Sequence, residues 1–214
     1  MKKAAPALFD GPDFSLEKRA GMPHARVAGV DEAGRGAWAG PLVAAAVVLD
    51  PDTFPHGLDD SKKLSPRKRD VLFDQIMAQA DVGIGVGSVE EIEVRNVLNA
   101  TLDAMRVAVH ALATPVDVAL IDGNRCPLLP CTTEAVIGGD ARSLSIAAAS
   151  IIAKVTRDRI MQSLAKDFPE YGWDANVGYG VPVHKSALEQ YGVTPHHRRS
   201  YKPIRNILGL AARK

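Results

Sequence analysis

Two long apolar runs separated by a short charged break constrain this chain more than any other feature. The stretch from Val27 to Asp50 reads VAGVDEAGRGAWAGPLVAAAVVLD. Val27, Ala28 and Val30 supply strand-forming side chains, and Leu42 to Leu49 make a second continuous apolar run, the pattern of strands covered on both faces. Pro41 opens the second run, where a missing N–H is tolerated. Between the runs stand Asp31 and Glu32, then Gly34, Arg35 and Gly36. Side chains alternate along a strand, so adjacent carboxylates reach one point only if the backbone changes course at them. Gly34 and Gly36 can supply that change and let a ligand approach the main chain, while Arg35 offers a planar donor fork suited to phosphate. A hairpin with two solvated acids at its mouth is the bland alternative. It does not call for two acids and an arginine between buried strands, so the stretch reads as a functional site.

The same device recurs along the chain. Val116 to Ile121 is an apolar strand that ends in Asp122-Gly123-Asn124, and Ala135 to Ile137 is a short one that runs into Gly138-Gly139-Asp140. Acids at the ends of neighbouring strands of an α/β sheet lie along one edge, where such folds bind ligands. Between these segments Ser65 caps a helix with Pro66 at its first position, with Val71, Leu72, Ile76, Met77 and Ala80 on its apolar face. Val82, Ile84 and Val86 then alternate with Gly83, Gly85 and Gly87, a strand with one bare face that suits close approach by a helix. Ser88 and Glu91 form a capping box for a short helix leading to a longer one, with Leu98, Leu102, Met105, Val109 and Leu112 as its buried stripe. Ser143 or Ser145 caps a helix that runs to about Ala165, with its positive dipole end just after Asp140. Asp158, four residues beyond Lys154 in that helix, reads as that lysine's ion-pair partner. The fourth acid is therefore Asp140.

At 214 residues and 46% hydrophobic content the chain can bury a large core. Residues 1–24 read as a flexible tail, 25–166 as a catalytic core and 167–214 as a basic helical region for substrate. Lys2 and Lys3 precede too few apolar residues for a secretory signal. No run approaches the ~20 residues of a membrane helix, so a cytoplasmic protein without a membrane partner is expected. Cys126 and Cys131 lack the companions a zinc site needs and read as free thiols. Net charge is only +1, but His184 to Lys214 holds seven Lys/Arg against one acid, a net +6 that leaves −5 for the rest. A basic surface beside an acidic centre suits a polyanion.

Four converging carboxylates would repel one another unless a cation joined them. Hard oxygen donors without histidine favour Mg²⁺ or Mn²⁺, and two such ions about 3.5 to 4 Å apart would activate a water against a phosphodiester. A dinucleotide-binding module is the rival in another class, but glycines at 34, 36 and 40 miss the G-x-G-x-x-G spacing. A junction-resolving nuclease of related fold is the nearer rival; it would ignore the 2′-hydroxyl.

Gly29-Val30-Asp31-Glu32-Ala33-Gly34-Arg35-Gly36 closely resembles the first motif of the ribonuclease HII family, and Ser145 to Asp158, SIAAASIIAKVTRD, resembles a second. The likeness spans about Ala28 to Ser200. It implies a ribonuclease H-like α/β fold, a central mixed sheet flanked by helices with a C-terminal helical extension. It also implies hydrolysis of the RNA strand of RNA/DNA hybrids and incision 5′ of single ribonucleotides in duplex DNA, leaving 3′-hydroxyl and 5′-phosphate ends. On that reading Asp31 bridges two metals, Glu32 and Asp122 complete one shell, and Asp140 supports the other. Gly34, Arg35 and Gly36 would hold the ribose and phosphates, and Lys62 and Lys63, in an Asp-Ser-Lys-Lys-Leu segment similar to the family's, would border the nucleic acid. Tyr179, by itself equally a core aromatic in a turn, matches the family's ribonucleotide-recognising tyrosine. His196, His197, Arg198 and Arg199 read as phosphate-facing or structural groups, with the two arginines as the basic contacts. Nothing in the sequence calls for more than a monomer, and engagement of a replication clamp is left open.

Overall fold

The computed structural model describes residues 11–210. Its centre is a five-stranded sheet of β1 (Val27–Ala33), β2 (Leu42–Val48), β3 (Asp81–Gly87), β4 (Val118–Asp122) and β5 (Thr132–Val136), in the order β3-β2-β1-β4-β5. Strands β1, β2 and β3 form an antiparallel meander, and β4 and β5 run parallel to β1. This is the mixed sheet the sequence implied. Helices α2 (Pro66–Gln79) and α4 (Leu144–Asp167) cover one face, and α3 (Val89–His110) covers the other. Strand β2 shows why its sequence is apolar throughout: Val43, Ala45 and Val47 enter the core with α2 and α4, while Leu42, Ala44 and Ala46 enter the core with α3.

The bare face of β3 takes the backbone of α3. A Cβ at Gly83 would lie 2.0 Å from the Ala108 carbonyl oxygen, and one at Gly85 would lie 2.0 Å from that of Ala104. The helix contact is therefore Ala100, Ala104 and Ala108, with Met105, Val109 and Leu112 buried beside them, whereas the expected stripe member Leu98 is exposed. Ser88 and Glu91 make the expected capping box, and α3 breaks at Asn96 (φ 63°, ψ 163°). The Asn96 Oδ1 accepts from the Asn99 amide at 3.1 Å and so starts the longer part. On α2, Ser65 caps by accepting from the Lys68 amide, and Leu72 and Ile76 are buried. Val71 and Met77, expected on the same face, lie in solvent, because the helix meets the sheet along a narrower line than its sequence offers.

Strand β1 is open at Gly29 so that α4 can sit directly on it. A Cβ there would be 2.2 Å from the backbone of Ser145 and Ile146. Ser143, not Ser145, caps α4, its Oγ accepting from the Ile146 amide at 3.1 Å. Glu17 completes this terminus: fully buried, its Oε1 accepts from Ser143 Oγ at 2.6 Å and from the Ser145 amide at 2.9 Å. A carboxylate at the positive end of a helix is stabilising. This corrects the expected tail over 1–24, since from Gly11 onward the chain carries α1 (Ser15–Arg19), with Leu16 packed among Val27, Leu120, Val136 and Ile146. Residues 1–10 lie outside the described residues. At the other end, α5 (Trp173–Asn176), α6 (Pro182–Tyr191) and α7 (Lys202–Ile207) form the helical extension, where Tyr171, Trp173, Leu188 and Ile204 share a core with Met161, Ala165 and Ala39.

Candidate active site

Strand β1 carries both adjacent acids without interruption, pairing Asp31 with Ala45 and Glu32 with Ala44. The expected change of course at the acids does not occur; the backbone turns two residues later, at Gly34 (φ 97°). The acids leave opposite sides of the strand, yet stay near enough for the Glu32 charge to raise the Asp31 pKa. Asp31 is 5% exposed, and its Oδ1 accepts from the Glu32 amide at 2.7 Å. Because Val30 lies opposite Ile121 in the parallel β1/β4 pair, Asp122 comes next to Asp31 on the same face. The Oδ1 of Asp122 accepts from the Gly139 amide at 2.7 Å, which brings Asp140, in a short 3-10 turn before α4, to the same edge.

Burial pushes the Asp31 carboxyl well above the usual range, and Glu32, Asp122 and Asp140 add to the shift. Burial also raises Glu32, more than the Arg35 guanidinium offsets. Asp140 is raised by burial and then by Asp60 and Asp122, against the opposing charge of Lys62. Asp60 was not singled out in the sequence; only the fold shows that its loop reaches the carboxylates. Lys62 lies 3.5 Å from Asp140 and 3.8 Å from Asp60. Burial lowers its pKa, but Asp60, Asp140 and Asp31 together raise it further.

A cleft of about 500 Å³ opens beside these acids, lined by Asp31, Glu32, Gly34, Arg35, Gly36, Lys62 and Tyr179, with Ser61, Ser150 and Lys154. The last three were absent from the expected site, although Ser150 and Lys154 lie in the SIAAASIIAKVTRD motif. A larger cleft of about 590 Å³ between Phe14 and Phe54 has only Asp13 and Asp59 as acids and lies away from the carboxylates. Tyr179 stands half in solvent over Gly36, with its Cε1 3.7 Å from where a Cβ would be. Arg35 pairs with Glu32 at 3.3 Å. Lys63 turns away to Asp59 at 3.2 Å and does not line the cleft. Asp158 pairs with Lys154 at 2.6 Å, as expected.

Arg199 is exposed, but Arg198 is fully buried, which corrects its expected role as a phosphate contact. Its guanidinium donates to the carbonyls of Gly40 at 2.9 Å and Arg35 at 3.0 Å. Arg157, also buried, donates to the carbonyls of Pro41 at 2.9 Å, Val177 at 2.9 Å and Ala39 at 3.1 Å. Two guanidinium forks thus hold the main chain from Arg35 to Pro41 from below. Burial lowers both pKa values, that of Arg157 to about 10, so Arg157 remains charged at neutral pH.

Among the described residues no three His, Cys, Asp or Glu side chains close on one point as they stand. Each acid is held by a local partner: Glu32 by Arg35, Asp122 by the Gly139 amide, Asp140 by Lys62. The donor set is nevertheless all oxygen, partly buried and self-repelling, which is the chemistry that fits a hard divalent cation.

The sequence model of the family described as ribonuclease HII matches residues 28–204. A ribonuclease HII of Magnetococcus marinus is 56% identical over 204 residues, covering 92% of this chain and 96% of the relative. One of Ruegeria pomeroyi is 56% identical over 199 residues, with 92% and 85% covered. Among solved structures, ribonuclease H2 of Pyrococcus horikoshii superposes with a TM-score of 0.73 at 31% identity, covering 85% of this chain and 96% of that one. The ribonuclease HII in a PCNA complex from Archaeoglobus fulgidus gives 0.70 at 26% identity, with 83% and 95% covered. A buried acid at the end of β1, neighbours on β4 and before α4, a glycine loop beside them, and a family match over both motifs make this chain a member of the ribonuclease HII family, an endoribonuclease of the ribonuclease H type.

Proposed function

We propose that this ribonuclease H incises 5′ of single ribonucleotides embedded in duplex DNA as well as cutting the RNA strand of hybrids, by a mechanism dependent on two divalent ions. The observation that carries the reading is the pairing of two features in one cleft. The cleft is lined by Asp31 and Glu32 together with the glycine loop over which Tyr179 stands, and Asp122 and Asp140 lie near enough to Asp31 to raise its pKa.

Asp31, Glu32, Asp122 and Asp140 would hold the cations, Mg²⁺ or Mn²⁺ by their oxygen donors. When bound, a metal pair supplies an activated water and a counter-charge for the leaving oxygen. The rest falls to the chain itself. Gly36 leaves its backbone bare beside the Tyr179 ring, so a ribose on that ring can come close to the main chain, and only a 2′-hydroxyl distinguishes RNA from DNA there. Arg35 and Lys62 supply cationic donors at the rim of the cleft, and Arg199 with the C-terminal helices extends the basic surface for the duplex. Lys63, held by Asp59, contributes charge rather than a contact in the cleft.

The test is cleavage of a labelled DNA duplex carrying one ribonucleotide beside an all-DNA control, with Mg²⁺ or Mn²⁺ and with EDTA. The reading expects a single cut 5′ of the ribonucleotide that EDTA abolishes. Equal cutting of both duplexes overturns it in favour of a general nuclease.

A further inference from the structure

Behind Tyr179 lies a chain of hydrogen bonds through two imidazoles that the catalytic reading does not use. His184 on α6 and His197 in the following loop are both buried, at 0% and 1% exposure. His184 Nδ1 lies 3.0 Å from the Tyr179 carbonyl oxygen. A carbonyl can only accept, so Nδ1 carries the proton. The other His184 nitrogen must then accept, and it has two donors available: the Trp173 indole N–H at 3.2 Å and His197 Nε2 at 3.0 Å. His197 is therefore protonated on Nε2. Its Nδ1 accepts from the Thr194 amide at 3.0 Å. Backbone groups of fixed sense at both ends thus set the tautomer of each ring.

Protonation of either ring would set donor against donor. A charged His184 would face the Trp173 N–H and the His197 N–H, and a charged His197 would turn its Nδ1–H toward the Thr194 amide, with only the Thr194 hydroxyl at 2.9 Å able to accept it. Consistent with this, burial holds both rings below the usual histidine range, His197 down to about 3 with His184 and His196 adding to the effect.

The chain of bonds joins the two walls of the cleft. At one end it holds the Tyr179 carbonyl, which also accepts from the Val181 amide at 2.9 Å. At the other, the backbone of His197 forms a β-bridge with Ala39. The flanking Arg198 amide donates to the Trp38 carbonyl at 2.8 Å, and the Gly40 amide donates to the His196 carbonyl at 2.9 Å. Ala39 and Gly40 belong to the segment that the Arg157 and Arg198 guanidinium groups hold beneath Gly34 to Gly36.

We propose that His184 and His197 are positioning residues for ribonucleotide recognition: as a neutral, tautomer-fixed pair they set the spacing between the Tyr179 ring and the Gly34-Arg35-Gly36 loop. The proposal rests on the reading of Tyr179 as the ribose contact. A displaced Tyr179 still leaves the acids in place, so the effect falls on the choice of substrate more than on phosphodiester hydrolysis itself. His184→Phe keeps a ring in the aromatic cage of Tyr171, Trp173 and Trp38 but removes the donor to Tyr179. His184→Asn retains a side-chain N–H that can stand where Nδ1 stood.

Two measurements on the full chain test this. Long-range ¹H–¹⁵N correlation on the wild-type protein should show His184 as the Nδ1–H tautomer and His197 as the Nε2–H tautomer, both neutral at about pH 7.5. Any other tautomer, or a charged ring at that pH, overturns the proposal even if no variant folds. Kinetics should then compare kcat/KM on a single-ribonucleotide duplex with that on a long RNA/DNA hybrid. For His184→Phe the ratio should drop roughly tenfold or more, mostly through KM for the single-ribonucleotide duplex, and His184→Asn should recover most of it. A ratio unchanged in a folded His184→Phe protein, while Tyr179→Ala lowers it, overturns the positioning role alone. If Tyr179→Ala also leaves the ratio unchanged, the reading of Tyr179 fails and this inference with it.

Discussion

Replacing Gly29 by Ala should damage stability and catalysis together. The added methyl would lie 2.2 Å from the backbone of Ser145 and Ile146, where ordinary contact begins at 3.4 Å. The obstacle is main chain, so no rotamer change relieves it. Strand and helix must part by about 1.2 Å, the difference between those two distances. Both sides of the contact are buried, with Val27 at 1% and Ile146 and Ala147 at 0% exposure. Overpacking of this kind costs ~1–3 kcal/mol and sometimes more. A loss of ~3 kcal/mol in a chain of this size lowers Tm by about 6–12 °C.

The same shift separates Asp31, two residues along β1, from Asp140, which lies four residues before Leu144 at the start of α4. Misplacement by about 1 Å can cost a hundredfold in rate. Gly138→Ala is the control. It lies in the same turn at φ 63° with nothing within 4 Å of a Cβ, so it pays only the left-handed backbone penalty of ~1–2 kcal/mol. Thermal melts followed by circular dichroism, and cleavage assayed well below each Tm, separate the two effects. A Gly29→Ala protein that melts and cleaves like wild type would refute the close approach of α4 to β1.

Asp31→Asn should abolish divalent-dependent cleavage and raise Tm in EDTA at neutral pH. A carboxyl whose folded pKa is raised costs stability when ionised and ceases to do so as pH falls below that pKa; the gain should therefore shrink on acidification, and an unchanged Tm at pH 8 would contradict it. Asp140→Asn should cost far more activity than Asp158→Asn, since Asp158 is paired with Lys154 at 2.6 Å; the reverse order in two folded variants would move the fourth acid. Acid should destabilise the C-terminal region through His197. Its folded pKa of about 3 lies below the unfolded value, so stability is complete above about pH 6.5 and falls as pH drops toward 3. From pH 8 to pH 5 the loss is about 2 kcal/mol, and His197→Gln should flatten that limb of a urea-denaturation series.

Much of the fold is legible because it rests on local patterns. The apolar runs of β1 and β2, the capping box Ser88–Glu91, the Ser65-Pro66 start of α2 and the alternate glycines of β3 each state a backbone requirement within a few residues. Strand-terminal acids are legible for the same reason, and topology then brings Asp31 and Asp122 together because β1 and β4 are parallel neighbours. The burial of polar groups is not legible. Arg198 looks in sequence like one more basic residue of a substrate surface and Arg157 draws no notice, yet the carbonyls that accept from them lie up to 163 positions away. Glu17 lies in a stretch without periodicity, and only the start of α4, 126 positions on, explains its burial. His184 and His197 are equally silent, for a histidine's role depends on which donor or acceptor meets each ring nitrogen. Sequence alone determined most of the strands, two of the helix caps and the acids at the ends of β1 and β4, since these follow from local periodicity and backbone chemistry, whereas β5, expected over Ala135 to Ile137, lies at Thr132–Val136 and Asp140 sits in a 3-10 turn beyond it. Which charges are buried, and which side chains stand behind the cleft rather than in it, only the tertiary structure decided, because a polar group can be buried only where distant chain supplies its partners.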